Sequence, residues 1–188
     1  MSNTRSELRS LLLAKSVKTG DFTLASGAKS NLYVDCRVTT LDPRGAVLVG
    51  EHMHKLVRSH ETAMGVQVGA IGGLTLGADP ISLSTAMTSS MAGDTPPLRC
   101  FVVRKEAKDH GRGKRIEGNF SADDTVVVVD DVITTGDSTL KAIAAVEEEG
   151  GKVAFVVVLV DREEGGRANI ESKGYPVAAL FTKTELVG

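Results

Sequence analysis

Two adjacent acids, Asp130 and Asp131, follow a run of four valines and precede Val132-Ile133-Thr134-Thr135-Gly136-Asp137-Ser138. The string VVVVDDVITTGDS, Val126 to Ser138, therefore sets two opposite chemistries side by side. Its second half suits a phosphate. Thr134, Thr135 and Ser138 offer hydroxyls, and Gly136 lets the backbone turn sharply. A helix opening at Asp137 brings its first N–H groups and its positive dipole end to the same place. The first half suits the reverse: two carboxylates repel a phosphate but accept hydroxyl groups, a metal or a developing cation. A ligand with a phosphate at one end and hydroxyls nearby fits both halves, and ribose 5-phosphate has that shape. An isolated Asp-Asp pair is more often structural. The whole string is not explained by capping, because each part stands where a phosphate site needs it.

A second constellation is Arg104-Lys105-Glu106-Ala107-Lys108-Asp109-His110-Gly111-Arg112-Gly113. From Arg104 to Arg115 six Lys/Arg stand against two acids. Taken alone, such a run is as often a solvated surface loop. Beside a phosphate site, a basic loop loosened by Gly111 and Gly113 suits clamping a polyanion and excluding water. Arg162 follows an apolar run, where a guanidinium can reach a site at a strand tip and grip a carboxylate in fork geometry. The other signals are weak. His52 and His54, two apart on a predicted helix, diverge and cannot share a metal, and with His60 they read as surface residues. Cys36 and Cys100 show no CxxC or metal spacing and read as reduced thiols in or near the core of a cytoplasmic protein. No metal site built from protein side chains is expected.

The elements that must hold these residues can be read from periodicity. Thr4-Arg5-Ser6-Glu7 reads as a capping box opening a helix to about Lys18, ended by Gly20. Phe22-Thr23-Leu24 and Leu32-Tyr33-Val34 read as short strands. Asp42-Pro43 opens a helix to about His60, carrying Ala46, Val49, Met53, Leu56 and Val57 inward. Strands then alternate with helices. Strands are predicted over Val66–Ile71 (ending in Gly72-Gly73), Arg99–Val103, Thr125–Val129, Val153–Val160 and Val177–Phe181. Helices are predicted from Asp79-Pro80 to Met91 and over Asp137–Glu149, with a long loop over 104–119. Apolar runs without alternation are strands covered on both faces, and strands alternating with helices make right-handed βαβ units. The fold class is therefore α/β, a doubly wound, mostly parallel sheet with a small N-terminal helix-and-strand cap. With 188 residues the chain suits one domain, 1–188, with a cap segment 1–40, a core 61–182 and a mobile loop 104–119. A net charge of -2 argues against nucleic acid as partner. No apolar run is long enough for a targeting segment or a membrane span.

The string Val126 to Ser138 resembles the phosphoribosyl-pyrophosphate (PRPP) signature of the type I phosphoribosyltransferases. RKEAKDHG, starting at Arg104, resembles the flexible catalytic loop of the orotate phosphoribosyltransferases. Three more segments agree. Phe22 to Gly27, with Ser30 and Tyr33, resembles the family's substrate-covering segment. Gly72 to Pro80 resembles its pyrophosphate loop. Asp161-Arg162-Glu163-Glu164-Gly165 resembles its orotate-binding arginine segment. The likeness runs from about residue 20 to 167, with two departures: many members carry lysine where this chain has Ala25 and Leu76.

The resemblance implies a magnesium-dependent transfer of ribose 5-phosphate from PRPP to orotate, giving orotidine 5'-monophosphate and pyrophosphate, in the pyrimidine (UMP) pathway. It implies Lys108, His110 and Asp131 as the groups acting at the reacting atoms. PRPP would be bound by Arg104, Lys105, Lys108, His110, Asp130, Asp131, Val132, Ile133, Thr134, Thr135, Gly136, Asp137 and Ser138, and orotate by Thr134 and Arg162. It further implies Mg2+ held mainly by PRPP and pyrophosphate, and a cytoplasmic homodimer whose mobile loop serves the neighbouring subunit. Three other readings compete. A purine phosphoribosyltransferase would share Val126 to Ser138 without needing the basic loop or Arg162. A PRPP-sensing regulator would need a basic nucleic-acid face. A receiver-type phosphoacceptor would not need the TTGDS cradle.

Overall fold

The two uninterrupted valine runs form the middle of a six-stranded sheet. In the computed structural model, which describes residues 4–23, 29–106 and 115–188, these are β6 (Thr125–Ile133) and β7 (Lys152–Asp161). Val127, Val129, Phe155 and Val157 point into one core, and Val126, Val128, Val156 and Val158 into another on the opposite face. Both faces are dry, which is why neither strand alternates with polar residues.

The other strands are β3 (Ala70–Leu74), β4 (Arg99–Val103), β5 (Ile116–Gly118) and β8 (Val177–Thr182), and the order across the sheet is β5-β4-β3-β6-β7-β8. All neighbours are parallel except β5, which runs antiparallel to β4 at one edge. Helix α4 (Ala78–Met91) connects β3 to β4, and α5 (Asp137–Glu148) and α6 (Gly166–Glu171) follow β6 and β7. One face is covered by α1 (Thr4–Lys15), α3 (Pro43–Met64) and α4, and the other by α5 and α6. The strand order reverses between β3 and β6, and their pairing spans only Ala70–Gly72 against Val126–Val128. Beyond it the strand ends part, and the crevice lies where open α/β sheets bind ligands.

Before the sheet, α1 leads into a hairpin of β1 (Val17–Thr23) and β2 (Lys29–Val34), then the short α2 (Arg37–Thr40). The chain ends in α7 (Lys183–Val187), opened by a capping box of Thr182 and Glu185. Asp42 caps α3 as predicted, its Oδ1 accepting from the Arg44 and Gly45 N–H groups.

The structure moves several predicted boundaries. Helix α1 ends at Lys15, not Lys18, and Gly20 lies inside β1 rather than stopping the helix. Helix α3 runs on to Met64, where Gly65 in the left-handed region closes it. β3 begins at Ala70 and contains Gly72 and Gly73. A side chain at either glycine would collide with Phe101 or with the Val129 carbonyl, so these glycines mark close packing rather than a strand end. The predicted loop 104–119 contains β5. Two of the three histidines read as surface residues, His54 and His60, are partly buried and make inner contacts. The imidazole of His54 is 12% exposed and shares a hydrogen bond with Asp94 Oδ2 at 2.7 Å, and His60 packs its ring on Phe155.

Candidate active site

Burial of Asp130 is the first physical fact of the crevice. The strand does not stop at Val129. Asp130, Val132 and Ile133 stay in register with Val158, Val160 and Asp161 of β7, so both acids lie inside β6. Asp130 is 5% exposed, and a carboxylate so placed needs donors. It has three: Ser138 Oγ at 3.1 Å and Thr139 Oγ1 at 2.7 Å on Oδ2, and the Asp131 N–H at 3.0 Å on Oδ1. Asp131 faces the crevice against Gly77, where any Cβ would collide with its carboxylate. Burial, and then the charge of Asp130, pushes the Asp131 carboxyl up to about 7. Burial raises Asp130 as well, against the pull of its hydroxyl donors. Two carboxyls held together and short of positive charge are poised to accept hydroxyls or a cation.

Around them lies a cavity of about 350 Å³. Its walls are Tyr33, Val34, Asp35 and Arg37 from the cap, Leu74 to Gly77 after β3, Lys105 after β4, Asp130 to Val132 with Thr134 and Ser138 from β6 to α5, and Arg162 after β7. The turn after β3 is fixed by the Thr75 N–H on the Val103 carbonyl at 2.9 Å and by Thr75 Oγ1 on Asp79 Oδ2 at 2.7 Å. Gly136 takes φ +84°, the left-handed region in which glycine is favoured, and hands the chain to α5. Arg162 is 5% exposed. Its Nη2 lies 2.7 Å from Glu164 Oε1 and donates to the Leu32 carbonyl at 3.2 Å, tying the hairpin to the strand tip.

Of the residues predicted from sequence, the crevice brings together Lys105, Asp130, Asp131, Val132, Thr134, Ser138 and Arg162. Thr135, Gly136 and Asp137 form the turn beside it, where Thr135 Oγ1 donates to Asp137 Oδ2 at 2.9 Å. Ile133 is turned into the core. Arg104 does not line the cavity, and its Nη1 lies 3.4 Å from Glu117 Oε1. Lys108, His110 and the Leu24-to-Gly27 segment, with Ala25, lie outside the described residues. Sequence reasoning missed Asp35 and Arg37, which pair in a fork at 2.8 and 2.9 Å, and Thr139, the closest donor to Asp130. Thr139 had a legible signal, since it extends the hydroxyl run after Asp137. Asp35 and Arg37 had none, because the hairpin alone carries them to the crevice. Among the described residues no group of three His, Cys, Asp or Glu could hold a metal by itself. The donor set offered, two carboxylates beside an open cavity, fits a hard cation that brings most of its oxygen ligands with the substrate.

Residues 88–175 match the family model of the phosphoribosyl transferase domain. The orotate phosphoribosyltransferase of Aquifex aeolicus (strain VF5) is 45% identical over 186 residues, covering 97% of each chain. Among solved structures, the orotate phosphoribosyltransferase of Mycobacterium tuberculosis H37Rv in complex with Fe(III) dicitrate superposes with a TM-score of 0.82 at 37% identity, covering 98% of this chain and 99% of that one. The same enzyme in complex with PRPP gives a TM-score of 0.78 at 34% identity, covering 97% and 98%.

Proposed function

This chain belongs to the orotate phosphoribosyltransferase family, and we propose that it performs that family's reaction with the residues that line the β3/β6 crevice. The reaction joins orotate to the ribose 5-phosphate of PRPP and releases pyrophosphate, a step of pyrimidine biosynthesis. The observation that carries the assignment of residues is the pairing of a buried, hydroxyl-braced Asp130–Asp131 unit with the glycine turn at Gly136 and the helix start at Asp137.

The C1' bond to pyrophosphate breaks as the orotate ring nitrogen closes on C1', so positive charge passes through the ribose while negative charge gathers on the leaving oxygens. Catalysis is then positioning and electrostatics. Thr134 to Ser138 hold the 5'-phosphate through hydroxyls and backbone N–H groups. Asp130 and Asp131 accept the ribose hydroxyls and favour the cationic ring. Arg104 and Lys105, with Lys108 and His110, receive the pyrophosphate. Arg162 takes the orotate carboxylate, and Thr134 touches the base. Mg2+, held mainly by the substrate beside Asp130 and Asp131, would add positive charge where the leaving group develops its negative charge.

A homodimer is part of the same reading. Val38 and Leu41 on and beside α2, Val47 on α3, and Leu83, Met87 and Met91 on α4 are all at least 49% exposed. A hollow of about 910 Å³ beside Val38, Leu41 and Leu83 shares Asp35, Arg37 and Leu76 with the crevice. An apolar face continuous with a catalytic crevice is suited to a second copy, whose basic loop then reaches across. The two free cysteines agree with a reducing, cytoplasmic setting. The test is direct: protein, orotate, PRPP and Mg2+ are mixed and the orotate absorbance followed, first with wild type and then with Lys108→Ala and Asp131→Asn mixed as subunits. Loss of orotate absorbance by wild type, and partial recovery in the mixture of two inactive variants, are the expected results. No recovery would remove the shared loop.

A further inference from the structure

We propose that Asn169 is a positioning residue for the 5'-phosphate of PRPP and of orotidine 5'-monophosphate, acting through the carbonyl of Thr135. The proposal rests on the reading that Thr134 to Ser138 cradle that phosphate. Asn169 lies on α6, which contributes no side chain to the crevice wall. Its Nδ2 nevertheless donates to the Thr135 carbonyl at 2.8 Å, thirty-four residues back along the chain. The helix start is moulded to the cradle around this bond. A Cβ on Gly166 would come within 2.5 Å of the Thr134 carbonyl oxygen and 2.9 Å of the Gly136 nitrogen. A Cβ on Gly136 would lie 3.0 Å from both the Gly166 carbonyl and Ile170 Cγ1.

The bond matters because of the peptide it fixes. In a trans peptide the C=O and the following N–H point in opposite directions. With the Thr135 oxygen held by Asn169, the Gly136 N–H must point away from that amide, and the residues flanking this peptide, Thr134 and Ser138, line the crevice. Glycine is the residue for which the alternative peptide orientation costs least. The cradle thus has a hinge at its most permissive point, and a side chain from the next helix sets it. No other hydrogen bond joins the Thr135 carbonyl to a side chain among the described residues, and the Thr135 hydroxyl is committed to Asp137. Orotate carries no phosphate, so an effect transmitted through the cradle separates PRPP and orotidine 5'-monophosphate from orotate.

The experiment compares Asn169→Ala and Asn169→Asp with wild type, measuring KM for PRPP and orotate in the forward direction, KM for orotidine 5'-monophosphate in pyrophosphorolysis, and Tm. Asn169→Ala is expected to raise KM for both phosphate-bearing ligands by about fivefold, as for one lost hydrogen bond. KM for orotate and Tm should stay near wild type. Asn169→Asp, which turns an acceptor toward the carbonyl and adds charge near a phosphate, should do so by at least as much. A rise shared by orotate, or a fall in Tm with all KM values unchanged, overturns the positioning role. Ser138→Ala is the control for the cradle. If it raises KM for the phosphate ligands and Asn169→Ala does not, Asn169 is dismissed and the cradle stands. If Ser138→Ala leaves both phosphate ligands untouched, the cradle reading and the inference built on it fall together.

Discussion

Replacing Asp131 with asparagine should stabilise the substrate-free protein at neutral and alkaline pH while disabling it. The gap between an ordinary 3.8 and about 7 for this carboxyl measures how unfavourable its charge is in the folded crevice, beside Asp130. The direction in pH follows from proton binding. Below about pH 4 the group is protonated in both folded and unfolded chains and costs nothing. Between about 4 and 7 the folded state keeps a proton that the unfolded state has lost, so stability falls as pH rises through that window. Above 7 both states are ionised and the folded state bears the whole cost. With these two values the upper limit is about 4 kcal/mol at pH 8 and about 2 kcal/mol at pH 5. Asparagine has the same shape, fits against Gly77, and carries no charge. Its gain in unfolding free energy should therefore be about 2 kcal/mol larger at pH 8 than at pH 5. That corresponds to an extra rise in Tm of about 4–8 °C for a chain of this length. Thermal unfolding without substrate or metal at the two pH values reads this directly. The same variant should lose about 100-fold or more in kcat/KM for PRPP, because a carboxylate facing the developing ribose cation is gone. A gain of equal size at both pH values, or a loss at pH 8, would refute the claim that burial and the charge of Asp130 raise this carboxyl.

Lys108→Ala should lower kcat by about 100-fold or more, as for a lost charge-stabilising donor; unchanged turnover would exclude the loop from the chemistry. Arg162→Ala should raise KM for orotate by roughly 30-fold, about 2 kcal/mol for a buried charged partner, with a much smaller change for PRPP; equal weakening of both would refute its place at the base. Asp94 accepts from Ser89 at 2.6 Å, Arg58 at 2.6 and 3.0 Å, and His54 at 2.7 Å. Burial works against its charge, but those donors outweigh it and hold the carboxyl well below the usual carboxylate range. Its contribution is therefore present above about pH 4 and lost only as pH falls below that. Asp94→Ala should cost about 2–3 kcal/mol at pH 7 by leaving three donors without their acceptor, measured by urea unfolding, with KM values unchanged.

Much of this architecture was legible because it rests on local pattern. The covered strands announce themselves as valine runs, and Asp42-Pro43 marks a helix start by its own backbone chemistry, whereas Asp79-Pro80 lies just inside a helix that begins at Ala78 with no side-chain cap. The failures share a cause. Asp130 and Asp131 read as residues past a strand end, because charge inside a doubly covered strand is costly. The compensation comes from Ser138 and Thr139 on the following helix, a contact that pattern alone does not reveal. His54 read as surface because its partner Asp94 lies forty residues away. β5 has three residues and owes its pairing to an edge left open by β4, and α6, six residues opened by two glycines, carries too little apolar periodicity to notice.

Leu76 shows how the two halves of the reading bear on each other. Where the family resemblance leads one to expect lysine, this chain has an apolar side chain that is 64% exposed. Considered within the crevice alone, that is a missing cation beside a pyrophosphate. Leu76 also borders the larger hollow, with Val38, Leu41 and Leu83. If a second copy covers that face, the position is buried on one side, and an ammonium there would be desolvated unless the pyrophosphate paired it throughout the cycle. In such a dimer leucine would suit the seam, and the positive charge for the leaving group would fall instead to Arg104, Lys105 and the loop that follows. The proposed dimer and loop would then be one arrangement, with the basic loop reaching across the seam that favours an apolar Leu76.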